Sequence, residues 1–150
     1  MKHKIQTAFA FSFDDWVTLV QAWFLLLGFD LGLRALPFPR VQQFAAQVRN
    51  RRTNSDDTAL VIRRLERVID VASRYHLYPM TCLRQALALQ LMLGQCGIAS
   101  DLRIGVRKED GALQAHAWVE CGGILSSQSI RAEFVPLLAD HSLDEQRIFV

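Results

Sequence analysis

Residues 78–97, YPMTCLRQALALQLMLGQCG, decide the fold, because they predict one buried helix with a cysteine at its start. Thr81 is a suitable N-cap, and Pro79 stops any helix that would run in from upstream. Gly94 and Gly97 can end the helix. Its apolar residues lie almost all round the helix, which is typical of a core helix. These residues are Leu83, Ala86, Leu87, Leu89, Leu91 and Leu93.

Cys82 falls at the first helical position. The backbone N–H groups there have no partner within the helix, and the positive end of the helix dipole favours a thiolate over a thiol. The alternative is a buried structural cysteine, which is common. Position alone leaves these two interpretations about even.

Composition predicts one globular domain over residues 1–150, with a helical part in residues 1–76 and a core in residues 77–150. The chain has 51% apolar and 21% charged residues, enough to bury a sizeable core. Its net charge of +2 is too small to indicate nucleic acid as a partner.

Cysteine and histidine usage argues against a metal centre. Three cysteines without framework spacing favour a reduced, cytoplasmic protein over a secreted one. Because the four histidines are scattered and neither CxxC nor HExxH occurs, we expect no structural zinc site. No cofactor is expected either.

The N-terminal region predicts a helix capped by Asp14 or Asp15, reaching about Leu36 and ended by Pro37 and Pro39. The apolar run in residues 17–28 is interrupted by a glutamine and is shorter than the roughly 20 residues of a transmembrane span. We therefore expect no span. The helix carries several large apolar residues, for which core packing is favoured over a docking face for a partner protein or a membrane surface. They are Trp16, Trp23, Phe24, Leu27 and Phe29.

Two further helices and a sheet are predicted. A short helix in residues 39–52 has Val41, Phe44, Ala45 and Val48 on one face, and residues 49–57 form a polar loop. The next helix spans residues 58–75, with Ala59, Ile62, Leu65, Ile69 and Ala72 at helical spacing. Strands follow over residues 101–107, 113–120, 124–129 and, more briefly, within 131–138. Helices followed by an antiparallel sheet define an α+β fold, with the N-terminal helices packed on a C-terminal sheet.

His116 is the only histidine in a predicted strand, and it follows Cys82 by 34 residues. A single histidine in a strand is more often structural than catalytic. A helix-start cysteine followed by a strand histidine is, however, the order found in papain-like and transglutaminase-like thiol enzymes. In those enzymes the imidazole takes the thiol proton and the thiolate attacks an acyl carbon.

Three stretches carry a resemblance to a known family: residues 31–41 (LGLRALPFPRV), residues 78–108, and residues 115–123 (AHAWVECGG). They resemble the stand-alone lasso peptide leader peptidases, which belong to the transglutaminase-like superfamily. The resemblance implies Cys82 as nucleophile and His116 as base, in a cysteine peptidase that removes the leader from a ribosomally made precursor peptide. It also implies a separate leader-binding protein and an ATP-dependent lasso cyclase as partners.

The third catalytic position departs from that family, because Gln128 stands where the family pattern has an aspartate. If residues 121–123 form a three-residue loop with Gly123 left-handed, Glu120 pairs with Ile124 and His116 lies opposite Gln128. A two-residue turn instead places Ser129 opposite His116. A glutamine can orient the imidazole but cannot stabilise imidazolium by charge. The distant alternatives in the tail are Asp140 and Asp144.

Two residues near the predicted site have weaker roles. Arg84 matches the family motif and either makes a salt bridge within the domain or contacts substrate. Trp118 shares the strand face of His116 and either covers the site or fills the core. Cys96 and Cys121 are expected to be small apolar fillers.

Three classes of function remain open from the sequence: a leader peptidase, a transglutaminase-type acyl transferase that uses the same Cys82 and His116, and a catalytically inactive peptide-binding module.

Overall fold

The computed structural model describes residues 12–47, 58–109, 112–122, 124–125 and 135–136. Four α-helices come first: α1 (Phe13–Ala35), α2 (Phe38–Gln47), α3 (Thr58–Arg74) and α4 (Cys82–Gln95). Strands β1 (Asp101–Glu109), β2 (Ala112–Cys121), β3 (Ile124–Leu125) and β4 (Val135–Pro136) follow. The predicted α+β class, with helices before an antiparallel sheet, is confirmed.

Helix α4 is the centre of the fold. It packs against α1, α2, α3, β1 and β2, and every residue from Ala86 to Gly94 is buried. The predicted core helix is therefore confirmed. Gln90 is the polar exception on this helix, and its Nε2 donates to the Ser100 carbonyl at 3.1 Å. This bond ties the C-terminal half of α4 to the residue that precedes β1.

The start of α1 differs from the prediction. Its N-cap is Ser12 rather than Asp14 or Asp15, and Asp15 is the third helical residue. The backbone N–H of Ser12 donates to the Asp15 carboxylate at 3.0 Å, and the Asp15 N–H donates to the Ser12 hydroxyl at 3.3 Å. This reciprocal pair is a capping box, in which an acidic residue in the first turn supports the cap without being the cap itself. At the other end, Leu36 is extended and Pro37 follows.

The prediction that the large apolar residues of α1 pack in the core is only partly correct. Phe29 is buried and both Trp23 and Leu27 are half-buried, whereas Trp16 and Phe24 are exposed. Helix α1 is apolar on most sides, but the neighbouring helices cover only one side of it.

That covered side is where α1 joins the domain. Ala22 and Leu26 are fully buried, and α1 packs against α2, α3 and α4. Among the described helices, α1 alone is long and apolar enough to cross a membrane by length and composition, criteria that a core helix of a soluble protein also meets.

Helices α2 and α3 each bury a narrower stripe than the sequence predicted. In α2, Val41 and Ala45 are buried but Phe44 is exposed. Phe44 lies three residues after Val41, at the edge of the buried side of the helix. In α3, Ala59 is exposed, and the other predicted positions are buried. Val48 and the predicted loop at residues 49–57 lie outside the described residues.

The strands form one antiparallel sheet in the order β3-β2-β1-β4. On one face, Leu102 lies opposite Val119 and Ile104 lies opposite Ala117. All four side chains pack into or against the cluster formed by the helices. The sheet therefore covers α4 with this face, and its other face carries the alternate residues of each strand.

The turn between β2 and β3 decides between the two registers that the sequence left open. Cys121 pairs with Ile124 and Glu120 with Leu125, which leaves a two-residue turn. Of the two registers that the sequence left open, this is the two-residue one, and Glu120 does not pair with Ile124. Gly122 has φ of +52°, and a primed two-residue turn needs such a left-handed residue at its first position.

Candidate active site

Cys82 is the first residue of α4, as predicted, and its thiol is free and half-buried. Thr81 is the N-cap with extended backbone angles, but its side chain makes no capping hydrogen bond. The first N–H groups of a helix have no partner within it, so here they are not taken up by the usual hydroxyl. This helix start can therefore stabilise a thiolate or an oxyanion next to Cys82.

His116 lies in the middle of β2, half-buried, with Gly105 of β1 as its strand partner. Its ring is stacked with the Trp118 ring, with 6.1 Å between centroids and 14° between planes. Trp118 therefore shares the face of His116, as predicted, and it is buried. Burial lowers the pKa of His116 below its ordinary value of 6.5. The imidazole is thus neutral at pH 7 and able to accept a proton.

The hydrogen bond between Gln90 and Ser100 gives a common reference point for lengths along α4 and β1. From Gln90 back to Cys82 the helix rises about 12 Å at 1.5 Å per residue. From Ser100, which is bonded to Gln90, to Gly105 the strand advances about 16 Å at 3.3 Å per residue. If β1 runs back along α4, these lengths place Gly105 and its partner His116 within about 4 Å of the level of Cys82.

The pleat of β2 decides which way His116 points. Ala117 and Val119 are buried in the helical core, so strand alternation places His116 and Trp118 on the opposite face of β2. Cys82 begins α4, and His116 lies in the strand that packs against α4. A contact between the thiol and the imidazole stays a prediction.

Arg84 makes a salt bridge within the domain: its Nη2 lies 2.6 Å from Oδ1 of Asp30 on α1. Asp30 is fully buried, and Oδ2 accepts a hydrogen bond from the Tyr78 hydroxyl at 2.7 Å. Sequence reasoning missed both Asp30 and Tyr78 as parts of this site. The available signal was an acidic residue inside an apolar helix, which must be paired if it is buried.

Gln128 lies outside the described residues, as do Ser129, Asp140 and Asp144. The three-residue hairpin that placed Gln128 opposite His116 is not the one observed between Glu120 and Leu125. With a two-residue turn, the sequence argument favours Ser129 at that position. The orienting role of Gln128 therefore stays a prediction that rests on the family position.

The other two cysteines are unlike Cys82. Cys121 is buried in the core, and Cys96 packs against the core at the C-cap of α4. Burial raises the pKa of Cys96, and burial together with nearby carboxylates raises the pKa of Cys121 to about 11. Both thiols are therefore held in their unreactive form, which fits the predicted role of small apolar fillers.

A family model described as the transglutaminase-like superfamily matches residues 23–139, which is most of the chain and includes α4, β1 and β2. No curated protein and no solved structure matches the chain. Within the described residues, no group of three or more histidine, cysteine, aspartate or glutamate side chains is placed to hold a metal ion.

Proposed function

Because the chain belongs to the transglutaminase-like superfamily, whose members include cysteine peptidases and acyl transferases, we propose that it is a cysteine peptidase with Cys82 as nucleophile and His116 as base. The observation that carries this proposal is the position of Cys82. It is a half-buried free thiol at the first residue of a buried helix whose N-cap side chain leaves the first turn uncapped.

The chemistry follows from these two side chains. The neutral His116 imidazole accepts the proton of the Cys82 thiol, and the thiolate forms a C–S bond with the scissile carbonyl. The resulting oxyanion is stabilised by the free N–H groups at the start of α4. The imidazolium then gives its proton to the departing amine, which leaves a thioester, and water hydrolyses the thioester to a carboxylate and the free thiol.

The proposed substrate is the leader peptide of a ribosomally made lasso peptide precursor. The likeness of residues 78–108 and 115–123 to the leader peptidases supports this choice. Cleavage would free the amino group of the core peptide for a separate ATP-dependent cyclase. The three free cysteines fit a reducing, cytoplasmic setting for this reaction.

The alternatives are an acyl transferase, which attacks the same thioester with an amine in place of water, and an inactive peptide-binding module. The test uses a lasso peptide precursor and a leader-binding protein that recognises its leader, with product masses measured by mass spectrometry. A peptidase gives two fragments that together exceed the precursor by one water. A joined species indicates the transferase, and an unchanged precursor indicates the binding module.

Two variants make this test specific. Cys82→Ala should abolish cleavage, because nucleophile and base act as a unit. Cys96→Ala is the matched control, since Cys96 is also half-buried and lies at the other end of α4. Full cleavage by Cys82→Ala, or equal losses in both variants, would remove Cys82 as nucleophile.

A separate leader-binding protein is proposed to deliver the precursor, so the chain alone should cleave poorly at low precursor concentration. The sequence pointed to Trp23 and Leu27 for docking, but both are half-buried. The exposed apolar residues of α1 offer the larger surface, and they are Phe13, Trp16, Val17, Val20, Phe24 and Leu31.

Phe24→Glu should therefore lower the partner-stimulated rate and leave the unstimulated rate unchanged. Leu60→Glu is the control, because Leu60 is equally exposed but lies on α3. Equal stimulation of Phe24→Glu and the unaltered protein would contradict docking on α1.

A further inference from the structure

Asp30 is a charged residue that the fold buries completely, with 0% of its surface exposed. A buried carboxylate is costly unless charged or hydrogen-bonding partners surround it. Asp30 has three, from two parts of the chain. Arg34, one turn later on α1, lies 3.1 Å from Oδ2, the Tyr78 hydroxyl donates to the same oxygen, and Arg84 lies 2.6 Å from Oδ1. Led by the Tyr78 hydrogen bond, these partners hold the pKa of Asp30 below its usual range despite burial. The group is therefore a carboxylate at neutral pH.

Two of the three partners lie within four residues of Cys82 in the chain. Arg34 is 65% exposed, and exposed ion pairs contribute little. The Arg84 side chain is only 19% exposed, so its pair with Asp30 is largely shielded from water. Tyr78 is also fixed by its ring, which contacts the His76 ring edge-on at 5.4 Å. Asp30 is thus held to Tyr78 and Arg84, which lie on either side of Cys82 in the chain.

Helix geometry shows which side of α4 is held by the contact between Arg84 and Asp30. Successive residues of an α-helix turn by about 100°, so Arg84 points about 200° away from Cys82 around the axis of α4. Asp30 therefore holds the first turn from the side away from the thiol. The start of α4 lacks a side-chain cap from Thr81, and the ion pair of Arg84 with Asp30 is a contact that holds its first turn to α1.

We propose that Asp30, acting through Arg84 and Tyr78, is a positioning residue that fixes the rotation and the start of α4 and thereby the direction of the Cys82 thiol. The proposal rests on the function proposed for Cys82. It assigns Arg84 to the scaffold of the site rather than to substrate contact.

The test compares two arginine variants by the rate at which iodoacetamide alkylates Cys82, followed by peptide mass spectrometry. Arg84→Gln breaks the pair with Asp30. Arg64→Gln is the matched control, because Arg64 of α3 lies 2.6 Å from Asp15, another aspartate of α1. We expect Arg84→Gln to slow the alkylation of Cys82 about fivefold, because a shift of the first turn of α4 removes the helix-start N–H groups that stabilise the reacting thiolate. The control should stay within about twofold.

Precursor cleavage gives a second readout. Arg84→Gln should lower kcat about tenfold with KM nearly unchanged, and Arg84→Lys should recover part of kcat because it restores the charge but not the planar guanidinium. A residue that only stabilised the fold would not lower kcat while leaving KM nearly unchanged. Tyr78→Phe removes only one hydroxyl, and it replaces Arg84→Gln in the test if circular dichroism shows that Arg84→Gln is unfolded. Tyr78→Phe should also slow the alkylation of Cys82.

Unchanged alkylation of Cys82 in a folded Arg84→Gln or Tyr78→Phe chain would overturn the proposal, and so would equal slowing in Arg64→Gln. Alkylation requires no peptide, so the two proposals fail separately. If the protein cleaves no precursor but Arg84→Gln still slows the alkylation of Cys82, the peptidase proposal is refuted and the positioning role of Asp30 is supported.

Discussion

The three thiols should differ in reactivity, with Cys82 alkylated first and Cys121 last. Burial and the carboxylates of Glu66, Asp101 and Glu120 raise the pKa of Cys121 from the ordinary 9.0 to about 11. At pH 8 its thiolate fraction is then about one in a thousand, a hundredfold below that of an ordinary thiol. A more basic thiolate is also more nucleophilic, which offsets about tenfold of this difference. The chemistry alone therefore predicts about tenfold slower alkylation, and burial adds steric exclusion.

Cys96 should react at an intermediate rate. Burial raises its pKa, while the positive charge of Arg64 opposes that effect. Cys82 should react fastest, because it is half-buried at a helix start that the N-cap side chain does not cap.

The assay is a time course with iodoacetamide at pH 8, followed by digestion and mass spectrometry of each cysteine-containing peptide. The chain unfolded in urea is the control, since its three cysteines should then react at similar rates. Raising the pH from 8 to 10 should accelerate labelling of Cys121, because its thiolate fraction rises as the pH approaches its pKa of about 11. If Cys96 or Cys121 is labelled as fast as Cys82 in the folded protein, the reasoning that makes Cys82 the reactive thiol is refuted.

Three further predictions concern the core and the site. Leu87→Ala, at a position with 0% exposure on α4, should lower the free energy of unfolding by about 2–5 kcal/mol. Leu60→Ala, where the side chain is 64% exposed, should cost less than about 0.5 kcal/mol in the same urea titration, and equal costs would contradict a core position for α4. Because burial lowers the pKa of His116 below 6.5, the folded protein takes up this proton at lower pH than the unfolded chain, so stability should fall as the pH drops below 6.5. His116→Gln should flatten that fall, and an unchanged pH profile would refute it. Gln128→Ala should lower kcat with KM unchanged and Gln128→Asp should retain or raise it, whereas unchanged turnover in Gln128→Ala would falsify the orienting role.

The core helix and the class of fold could be predicted because their signals are local. Pro79, Thr81 and Gly97 mark the limits of α4, and the apolar residues between them surround the helix axis. The alternation of Leu102, Ile104 and their partners likewise marks a strand with one buried face.

The faces of α1 could not be predicted in the same way. A helix that is apolar on most sides carries no periodicity that would tell Trp16 and Phe24 from Phe29. Only the arrangement of the neighbouring helices decides which of these residues is covered. The sequence therefore predicted more buried residues on α1 than the structure has.

The hairpin register and the ion pair of Asp30 could not be predicted from the sequence, for different reasons. Cys121, Gly122 and Gly123 permit both a two-residue and a three-residue connection, and the backbone geometry at Gly122 decides between them. The pair of Asp30 with Arg84 joins two helices far apart in the chain. An acidic residue in an apolar run shows that a partner is needed, but not which residue supplies it.

The central claim is that Cys82 forms a thioester with the leader, and acid quenching of the reaction during its first turnover tests it most directly. The complete chain is mixed with excess precursor and the leader-binding protein, quenched, and measured by intact-mass and peptide mass spectrometry. We expect an adduct on the peptide that contains Cys82 with the mass of the leader less one water, and none in Cys82→Ala. Cleavage of the precursor without that adduct, or with an adduct on Cys96, would contradict it.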